Sequence, residues 1–173
     1  MQNKFICGVD FVDINRVKKL INHSTNIDLQ EIFSQEEIDY AGKSNNRYGR
    51  LAARFAAKEA CLKLFPKETA RASIDLSDFS VKNDAYGAPH ISLSPRASII
   101  YSLYGFEQIS ISLSHTKEHA MAMVIAARKE IQLPLIRRLM YWLIPIRRKL
   151  MMSNLNRLSV HLHCGLRRAC HLK

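Results

Sequence analysis

Apolar positions in the first third of the chain change from a strand pattern to two helical patterns. Residues 5–14 are rich in β-branched and aromatic side chains and predict a first strand. Asp13 precedes residues 14–21, whose apolar side chains recur at helical spacing, so it is expected to cap a helix there. The sequence Ser-Gln-Glu-Glu at 34–37 is a capping-box pattern and predicts a second, short helix through Ala41.

The longest predicted helix is alanine-rich, runs from Asn46 to about Leu64, and ends before Pro66. Alternating and helical patterns then predict the remaining elements, which are a hairpin of residues 79–82 and 89–93, a helix from Pro95 to about Tyr104, and strands over 108–114 and 119–127. Together these elements predict an α+β fold, in which a mainly antiparallel sheet packs against one long helix.

Charge divides the chain into two parts that the net charge of +11 conceals. Residues 1–127 carry 15 Lys and Arg against 14 Asp and Glu, whereas residues 128–173 carry 11 Lys and Arg against one glutamate. The first part is therefore nearly neutral, and the second has a net charge of +10. We predict a globular domain at 1–127, followed by a basic amphipathic C-terminal extension at 128–173.

The extension interleaves apolar side chains with paired arginines over residues 133–152 and has no acidic residue there. This composition fits a basic amphipathic segment that lies on an anionic membrane surface. The alternatives are an extra patch for an acidic partner protein, zinc binding by the His and Cys residues after position 160, and no specific role. Nucleic acid is not expected as a partner, because the aromatic residues among the arginines are limited to Tyr141 and Trp142.

The sequence carries no pattern typical of export or of a membrane span. Its N-terminus lacks a long apolar stretch, and arginines interrupt every apolar run in the extension. The four cysteines have irregular spacing and are interpreted as reduced thiols. We therefore expect a cytoplasmic location, with the extension as the one candidate for peripheral membrane contact.

The strongest candidate chemistry lies on the long helix. Arg50, Arg54 and Lys58 recur every four residues and form a basic stripe along one side of it. Glu59 lies about 100° further round the helix, among small and apolar side chains, where an unpaired carboxylate is costly. Cations for an anionic ligand next to a carboxylate for a metal suggest a site for metal-bound phosphate.

A second carboxylate for that metal is expected from the first strand. Asp10 follows Gly8, where the missing side chain lets a ligand or a backbone come close. Asp13 is better explained as a helix cap, so Asp10 is the favoured ligand. Two carboxylates from separate elements, completed by water and phosphate oxygens, suit Mg²⁺.

Residues 108–116 place polar side chains along one face of a strand and at its end. Ser112 and Ser114 are explained either by a site or by close packing against the alanine-rich helix. His115 is either a loop histidine or a contact to phosphate. A Ser–His nucleophile pair is not favoured, because no strand–turn–helix elbow surrounds these serines and no Asp is placed to orient the histidine.

Three segments resemble the motifs of one family in their order and spacing along the chain. These segments are Gly8-Val-Asp10-Phe-Val-Asp13-Ile with Arg16, Arg54-Phe-Ala-Ala-Lys58-Glu59-Ala60, and Ser112-Leu-Ser114-His115-Thr116. Across residues 4–127 the chain resembles the holo-acyl-carrier-protein synthases, which are the small 4'-phosphopantetheinyl transferases. The resemblance implies the phosphopantetheinyl transferase fold and a homotrimer with active sites between subunits. It also implies coenzyme A as substrate, Mg²⁺ as cofactor, and a serine of apo acyl carrier protein, as in fatty acid biosynthesis, as acceptor.

The resemblance also implies roles for individual residues. Asp10 and Glu59 look like the Mg²⁺ ligands, and Lys58 looks like the residue that meets the pyrophosphate. Arg54 and His115 look like contacts to the nucleotide end of coenzyme A, and the remaining implied contacts are Arg50 and Thr116 for coenzyme A and Arg16 for the carrier protein.

In the reaction that the resemblance implies, the carrier serine attacks the β-phosphate and 3',5'-ADP leaves. Glu59 is the best candidate to take the serine proton, and Lys58 would place a charge or a proton at the leaving oxygen. The family often has Gly-Lys-Pro where this chain has Gly-Ala-Pro at 87–89, so a cation is absent from that turn. The alternative function is a non-catalytic module on the same fold that binds carrier protein or a membrane surface.

Overall fold

The computed structural model describes residues 4–129. Their elements, in chain order, are β1 (Phe5–Asp13), α1 (Ile14–His23), α2 (Asn26–Gln30), α3 (Gln35–Gly42), α4 (Arg47–Leu62), α5 (Lys67–Ser73), a 3₁₀ turn (Leu76–Asp78), β2 (Phe79–Asn83), β3 (Pro89–Leu93), α6 (Pro95–Leu103), β4 (Phe106–His115) and β5 (His119–Arg128). The predicted α+β class is confirmed. The membrane-surface segment predicted at 133–152 lies outside the described residues.

The predicted helix starts are formed by their capping side chains. Asp13 Oδ1 accepts a hydrogen bond from Arg16 N at 2.7 Å, which caps α1. At the start of α3, Ser34 accepts from Glu37 N while the Glu37 carboxylate accepts from Ser34 N, so both halves of the capping box are present. These contacts use donors that a helix start otherwise leaves without partners.

Two short helices were not predicted from the sequence. The α2 helix follows Thr25, whose hydroxyl and backbone N–H both donate to the Asp28 carboxylate at 2.9 Å. This Thr-x-x-Asp pattern is a helix-start pattern from which α2 could have been predicted. The α5 helix begins directly after Pro66, which the sequence pattern indicates only as the end of α4. Proline ends one helix but is also well tolerated at the start of the next.

The strands form two antiparallel sheets. The larger one has the order β1-β5-β4, and its register places Asp10 opposite Ala122 and Ala122 opposite Leu113. The smaller one is the β2–β3 hairpin. The long helix α4 packs across β5 and β1, and both α4 and β5 contribute buried residues to the core. Both elements are rich in buried alanines, which are Ala52, Ala53, Ala56, Ala57 and Ala60 of α4 and Ala120, Ala122 and Ala126 of β5.

The serine row of β4 does not pack against the alanine-rich helix, so that interpretation was wrong. Ser110, Ser112 and Ser114 are exposed, while the alternate positions Ile109, Ile111 and Leu113 are half-buried against the core. The reason is that burial of apolar side chains lowers the free energy more than burial of hydroxyl groups does. Because side chains alternate between the two faces of a strand, the serines then lie on the other face.

The outer face of the three-stranded sheet, which points away from α4, is apolar and exposed. Its large side chains are Phe5, Val9 and Phe11 of β1 and Met121 and Met123 of β5, and between 38% and 66% of each is exposed. We call this set the outer apolar face. Within residues 4–129, no helix has the length and hydropathy needed to cross a membrane.

Candidate active site

Strand β1 and helix α4 touch at Gly8. A side-chain carbon at this position would overlap the carbonyl oxygen of Ala60 and would lie 3.0 Å from its carbonyl carbon and 3.4 Å from Lys63 Cβ. Glycine is therefore needed for the backbones to approach this closely. The contact brings the middle of β1 against the C-terminal end of α4.

This contact builds a cluster of charged side chains from two elements. Lys63, the residue that ends α4, places Nζ 2.8 Å from Asp10 Oδ1 and donates to Val9 O at 2.6 Å. The Asp10 side chain is 17% exposed and that of Lys63 is 50% exposed, so the cluster is open to a ligand. Glu59, half-buried, lies one helical turn before Lys63 on the same side of α4. We call Asp10, Glu59 and Lys63 the β1–α4 cluster.

Sequence reasoning assigned no role to Lys63. The sequence feature that could have indicated one is the position of Lys63 four residues after Glu59, which puts both side chains on one side of the helix. That spacing alone could not show that the lysine reaches β1. The contact depends on the close approach at Gly8, which only the packed structure shows.

Lys58, in contrast, does not face an open site. Its side chain is fully buried, with Nζ 2.9 Å from Glu37 Oε2, in hydrogen bonds to Phe79 O and, at 3.4 Å, to Leu76 O. The Glu37 carboxylate also accepts from Val81 N at 2.9 Å. Burial lowers the pKa of Lys58, and the nearby Glu37 carboxylate acts in the opposite direction.

The expected contact of Lys58 with pyrophosphate does not agree with this placement. A lysine whose three N–H donors are directed at a carboxylate and two carbonyls inside the protein has none left for a phosphate. Lys58 instead ties α4 to α3 and to the start of β2. The cation that the structure presents beside Asp10 is Lys63.

Arg54 and Arg50, from the same basic stripe, stack on one aromatic ring. Their guanidinium carbons lie 4.3 Å and 4.6 Å from the centre of the Tyr40 ring. Arg54 is buried, donates to Asn83 Oδ1 at 2.7 Å, and its Nε makes no hydrogen bond within the described residues. Burial lowers the pKa of Arg54, with the Glu37 carboxylate opposing. The stripe thus faces α3 and the hairpin, and Arg50 is its more accessible member.

The end of β4 lies beside the N-terminal end of α4. His115 Nε2 is 2.9 Å from the side-chain amide nitrogen of Asn46, the residue that caps α4. Thr116 is occupied in the β4–β5 turn, where its hydroxyl accepts from His119 N at 3.0 Å and from Glu118 N at 3.2 Å. His115 is exposed beside Asn46, while Thr116 shapes the turn.

The predicted site residues thus fall into separate groups within one chain. The β1–α4 cluster lies at the C-terminal end of α4, and His115 lies at its N-terminal end. The 16 residues of α4 span roughly 24 Å. Arg16 is exposed on α1 and belongs to neither group.

The residues of the β1–α4 cluster fit a magnesium ion by their chemistry. Asp10 and Glu59 supply carboxylate oxygens from two elements held together at Gly8. Mg²⁺ is usually bound through one or two carboxylates, with water and phosphate as its other ligands. Among the described residues, no group of three or more His, Cys, Asp or Glu forms a cage for a metal.

A sequence model of the 4'-phosphopantetheinyl transferase superfamily matches residues 6–124 of this chain. The chain belongs to this superfamily. The holo-[acyl-carrier-protein] synthase of Clostridium kluyveri is 38% identical to it over 122 residues, which are 70% of this chain and 88% of that protein. The family model's range, residues 6–124, lies within the described domain.

Solved structures of this superfamily have the same fold. The Chronobacterium ammoniagenes ACPS–CoA complex aligns with a TM-score of 0.64 at 23% identity, covering 74% of this chain and 100% of that chain. The Helicobacter pylori holo-[acyl-carrier-protein] synthase in complex with coenzyme A aligns with a TM-score of 0.58 at 25% identity, covering 70% and 100%. The predicted phosphopantetheinyl transferase fold is confirmed.

Proposed function

We propose that this protein transfers the 4'-phosphopantetheine group of coenzyme A to a serine of apo acyl carrier protein, releasing 3',5'-ADP. The observation that carries the proposal is the Asp10–Lys63 ion pair at 2.8 Å, with Glu59 one helical turn away on α4, in a chain of this superfamily. The name of the Clostridium kluyveri relative supports the carrier protein as acceptor. The ligand of the Helicobacter pylori structure supports coenzyme A as donor.

In this reaction the carrier serine oxygen forms a bond to the β-phosphorus, and the bond from that phosphorus to the bridging oxygen breaks. Glu59 is proposed to take the serine proton. A general base must lie within hydrogen-bond reach of the attacking hydroxyl, and Glu59 is the carboxylate of the cluster proposed for this position. Lys63 is proposed to hold the charge that develops on the departing 3',5'-ADP oxygen. This role passes from Lys58 to Lys63 because Lys58 is buried against Glu37.

Asp10 and Glu59 are proposed as the residues that hold Mg²⁺. Bound there, the ion would neutralise the negative charge of the diphosphate. Lys63 already bonds Asp10 Oδ1 at 2.8 Å and so keeps that carboxylate directed into the cluster. Asp10 thereby links the lysine and the proposed ion in one site.

The nucleotide end of coenzyme A is proposed to bind Arg50, Arg54, His115 and Thr116, and Arg16 is proposed to contact the carrier protein. Because the β1–α4 cluster and His115 lie at opposite ends of α4, we propose that two subunits of a homotrimer contribute them to one active site. The outer apolar face supports this assembly, since exposed contiguous apolar area marks an interaction surface.

The basic extension is proposed to bring the enzyme to an anionic membrane surface. The support is its sequence, with a net charge of +10 and paired arginines among apolar residues. Sedimentation with liposomes containing anionic lipid should pellet the full-length protein. Replacing Arg137, Arg138, Arg147 and Arg148 by Gln in the full chain should leave it in the supernatant, and equal pelleting would remove the proposal.

The function is tested by intact-mass measurement of apo carrier proteins incubated with the enzyme, coenzyme A and Mg²⁺. We expect a mass increase of one phosphopantetheine group, and none on a carrier whose acceptor serine is replaced by Ala. If no carrier in a panel gains the group although carriers bind the protein, the alternative of a non-catalytic binding module is favoured instead.

The role of Glu59 is tested in the same assay. Glu59→Gln keeps the size of the side chain but removes a proton acceptor and a metal ligand, so turnover should fall by roughly two or more orders of magnitude. Glu107→Gln is the matched control, because Glu107 is exposed and pairs only loosely with Lys129 at 3.5 Å. Near-normal turnover of Glu59→Gln would exclude the residue from the mechanism.

A further inference from the structure

The orientation of the Asn46 side-chain amide is determined by the helix that it caps. Asn46 Oδ1 lies 3.2 Å from the backbone N–H of Gly49 in the first turn of α4. That N–H is a donor, so the amide must present its oxygen to it and not its NH₂ group. The NH₂ group of Asn46 therefore faces His115 Nε2, at 2.9 Å.

Gly49 supplies an independent observation that the amide is built into this position. A side-chain carbon on residue 49 would lie 2.6 Å from Asn46 Nδ2 and closer still to Oδ1. Any larger residue would push the amide out of the space between the first helical turn and the end of β4. The glycine thus leaves room for Asn46 to reach both Gly49 N and His115.

This arrangement selects one tautomer of His115. The Asn46 NH₂ group can only donate, so His115 Nε2 must accept and carry no hydrogen. The neutral ring then carries its hydrogen on Nδ1, the opposite of the preference of a free histidine side chain in water. The hydrogen bond at one ring nitrogen sets the protonation of the other.

We propose that Asn46 is a positioning residue that holds His115 in the Nδ1–H tautomer, so that the ring offers a hydrogen-bond donor to an acceptor on the nucleotide end of coenzyme A. This inference rests on the proposed function for the identity of the ligand. Asn46 itself acts through His115 and needs no contact with the substrate.

The test uses full-length protein labelled with ¹⁵N at histidine and measures ring-nitrogen signals by NMR at pH 8, without coenzyme A. The His115 signals are assigned by their loss in His115→Gln. Asn46→Ser keeps a capping oxygen but is too short to reach His115, and Asn46→Asp keeps the cap but offers the ring only acceptors. The thermal midpoint of both variants should stay close to that of the unmodified protein, because both cap helices.

The expected result is hydrogen on Nδ1 in the unmodified protein and hydrogen on Nε2 in both Asn46 variants. In carrier modification, the KM for coenzyme A should rise several-fold in both, with kcat within about twofold, and His115→Gln should remove any further effect of Asn46→Ser. Hydrogen on Nε2 in the unmodified protein would overturn the proposal, as would a changed tautomer with an unchanged KM. The NMR readout needs no turnover, so it separates this proposal from the proposed function.

Discussion

At the scale of residues, Lys58 and Lys63 lie five positions apart in the α4 region and have opposite environments. Lys58 is fully buried against Glu37, whereas half of the Lys63 side chain is exposed beside Asp10. A buried charge that loses its partner is expensive, while a surface ion pair contributes little to stability. The same substitution is therefore expected to lower the stability of the protein at Lys58 and its turnover at Lys63.

Lys58→Met should destabilise the protein by about 3–5 kcal/mol, because Glu37 would remain buried without its counter-ion. Lys63→Met should change the free energy of unfolding by about 1 kcal/mol or less but lower turnover at least about tenfold. Urea unfolding and the carrier-modification assay measure the two effects. A folded, stable Lys58→Met with weakened coenzyme A binding would restore the pyrophosphate role to Lys58.

The paired variant Glu37→Gln with Lys58→Met provides the control for this argument. Removing both charges removes the uncompensated carboxylate, so the double variant should be more stable than Lys58→Met alone. In Glu37→Gln the new amide oxygen can still accept from Val81 N, but the NH₂ group replaces the oxygen that accepts from Ser34 N, so this half of the capping box is lost in the single and double variants alike. Simple additivity of the two single changes would contradict a direct Glu37–Lys58 interaction.

At the scale of elements, the contact between β1 and α4 positions the candidate site. Gly8 permits the two backbones to approach closely. This approach brings Asp10 of β1 next to Lys63 at the end of α4. The alanines of α4 serve the same purpose along the rest of the interface, because small side chains let a helix lie close to a sheet. Packing and site geometry here have a common cause.

Gly8→Ala should separate β1 from the end of α4, since its methyl group would overlap the Ala60 carbonyl. Overpacking of this kind costs roughly 1–3 kcal/mol, and turnover should fall with it as the cluster is pulled apart. Gly42→Ala is the matched control, because nothing lies within 4 Å of a side-chain carbon there. Equal stability and turnover of the two variants would show that the site tolerates displacement of α4.

At the scale of the whole molecule, the described domain has one covered and one uncovered sheet face. The inner face packs on α4, while the outer apolar face exposes two phenylalanines, a valine and two methionines. Monomeric proteins rarely expose apolar area in one contiguous patch. In the proposed homotrimer, this face would be covered, and His115 of one subunit would complete the site that holds the β1–α4 cluster of another.

Met123→Asp should therefore convert a trimer to monomers and lower turnover, because it places a charge at the centre of the outer apolar face on β5. Sedimentation velocity measures the change in mass. Tyr86→Asp is the control for oligomeric state, since Tyr86 is 98% exposed in the β2–β3 turn and lies off that face. Sedimentation of the unmodified protein as a monomer would contradict the assembly.

The sequence by itself determined most of the secondary structure. Caps such as Asp13 and Ser34 and the alternation along β4 act within a few residues, so local patterns were enough to predict α1, α3 and that strand. The order of the motifs likewise predicted that Asp10 and Glu59 belong to one site. Family resemblance, carried by the same short motifs, also predicted the fold.

Only the tertiary structure decided which cation lies beside Asp10 and how His115 is held. Helical periodicity tells which side chains share a side of α4, but not what packs against that side. Glu37 of α3 forms a buried ion pair with Lys58. The close approach at Gly8 places Asp10 beside Lys63 instead. These contacts join residues more than twenty positions apart, and no local pattern contains them.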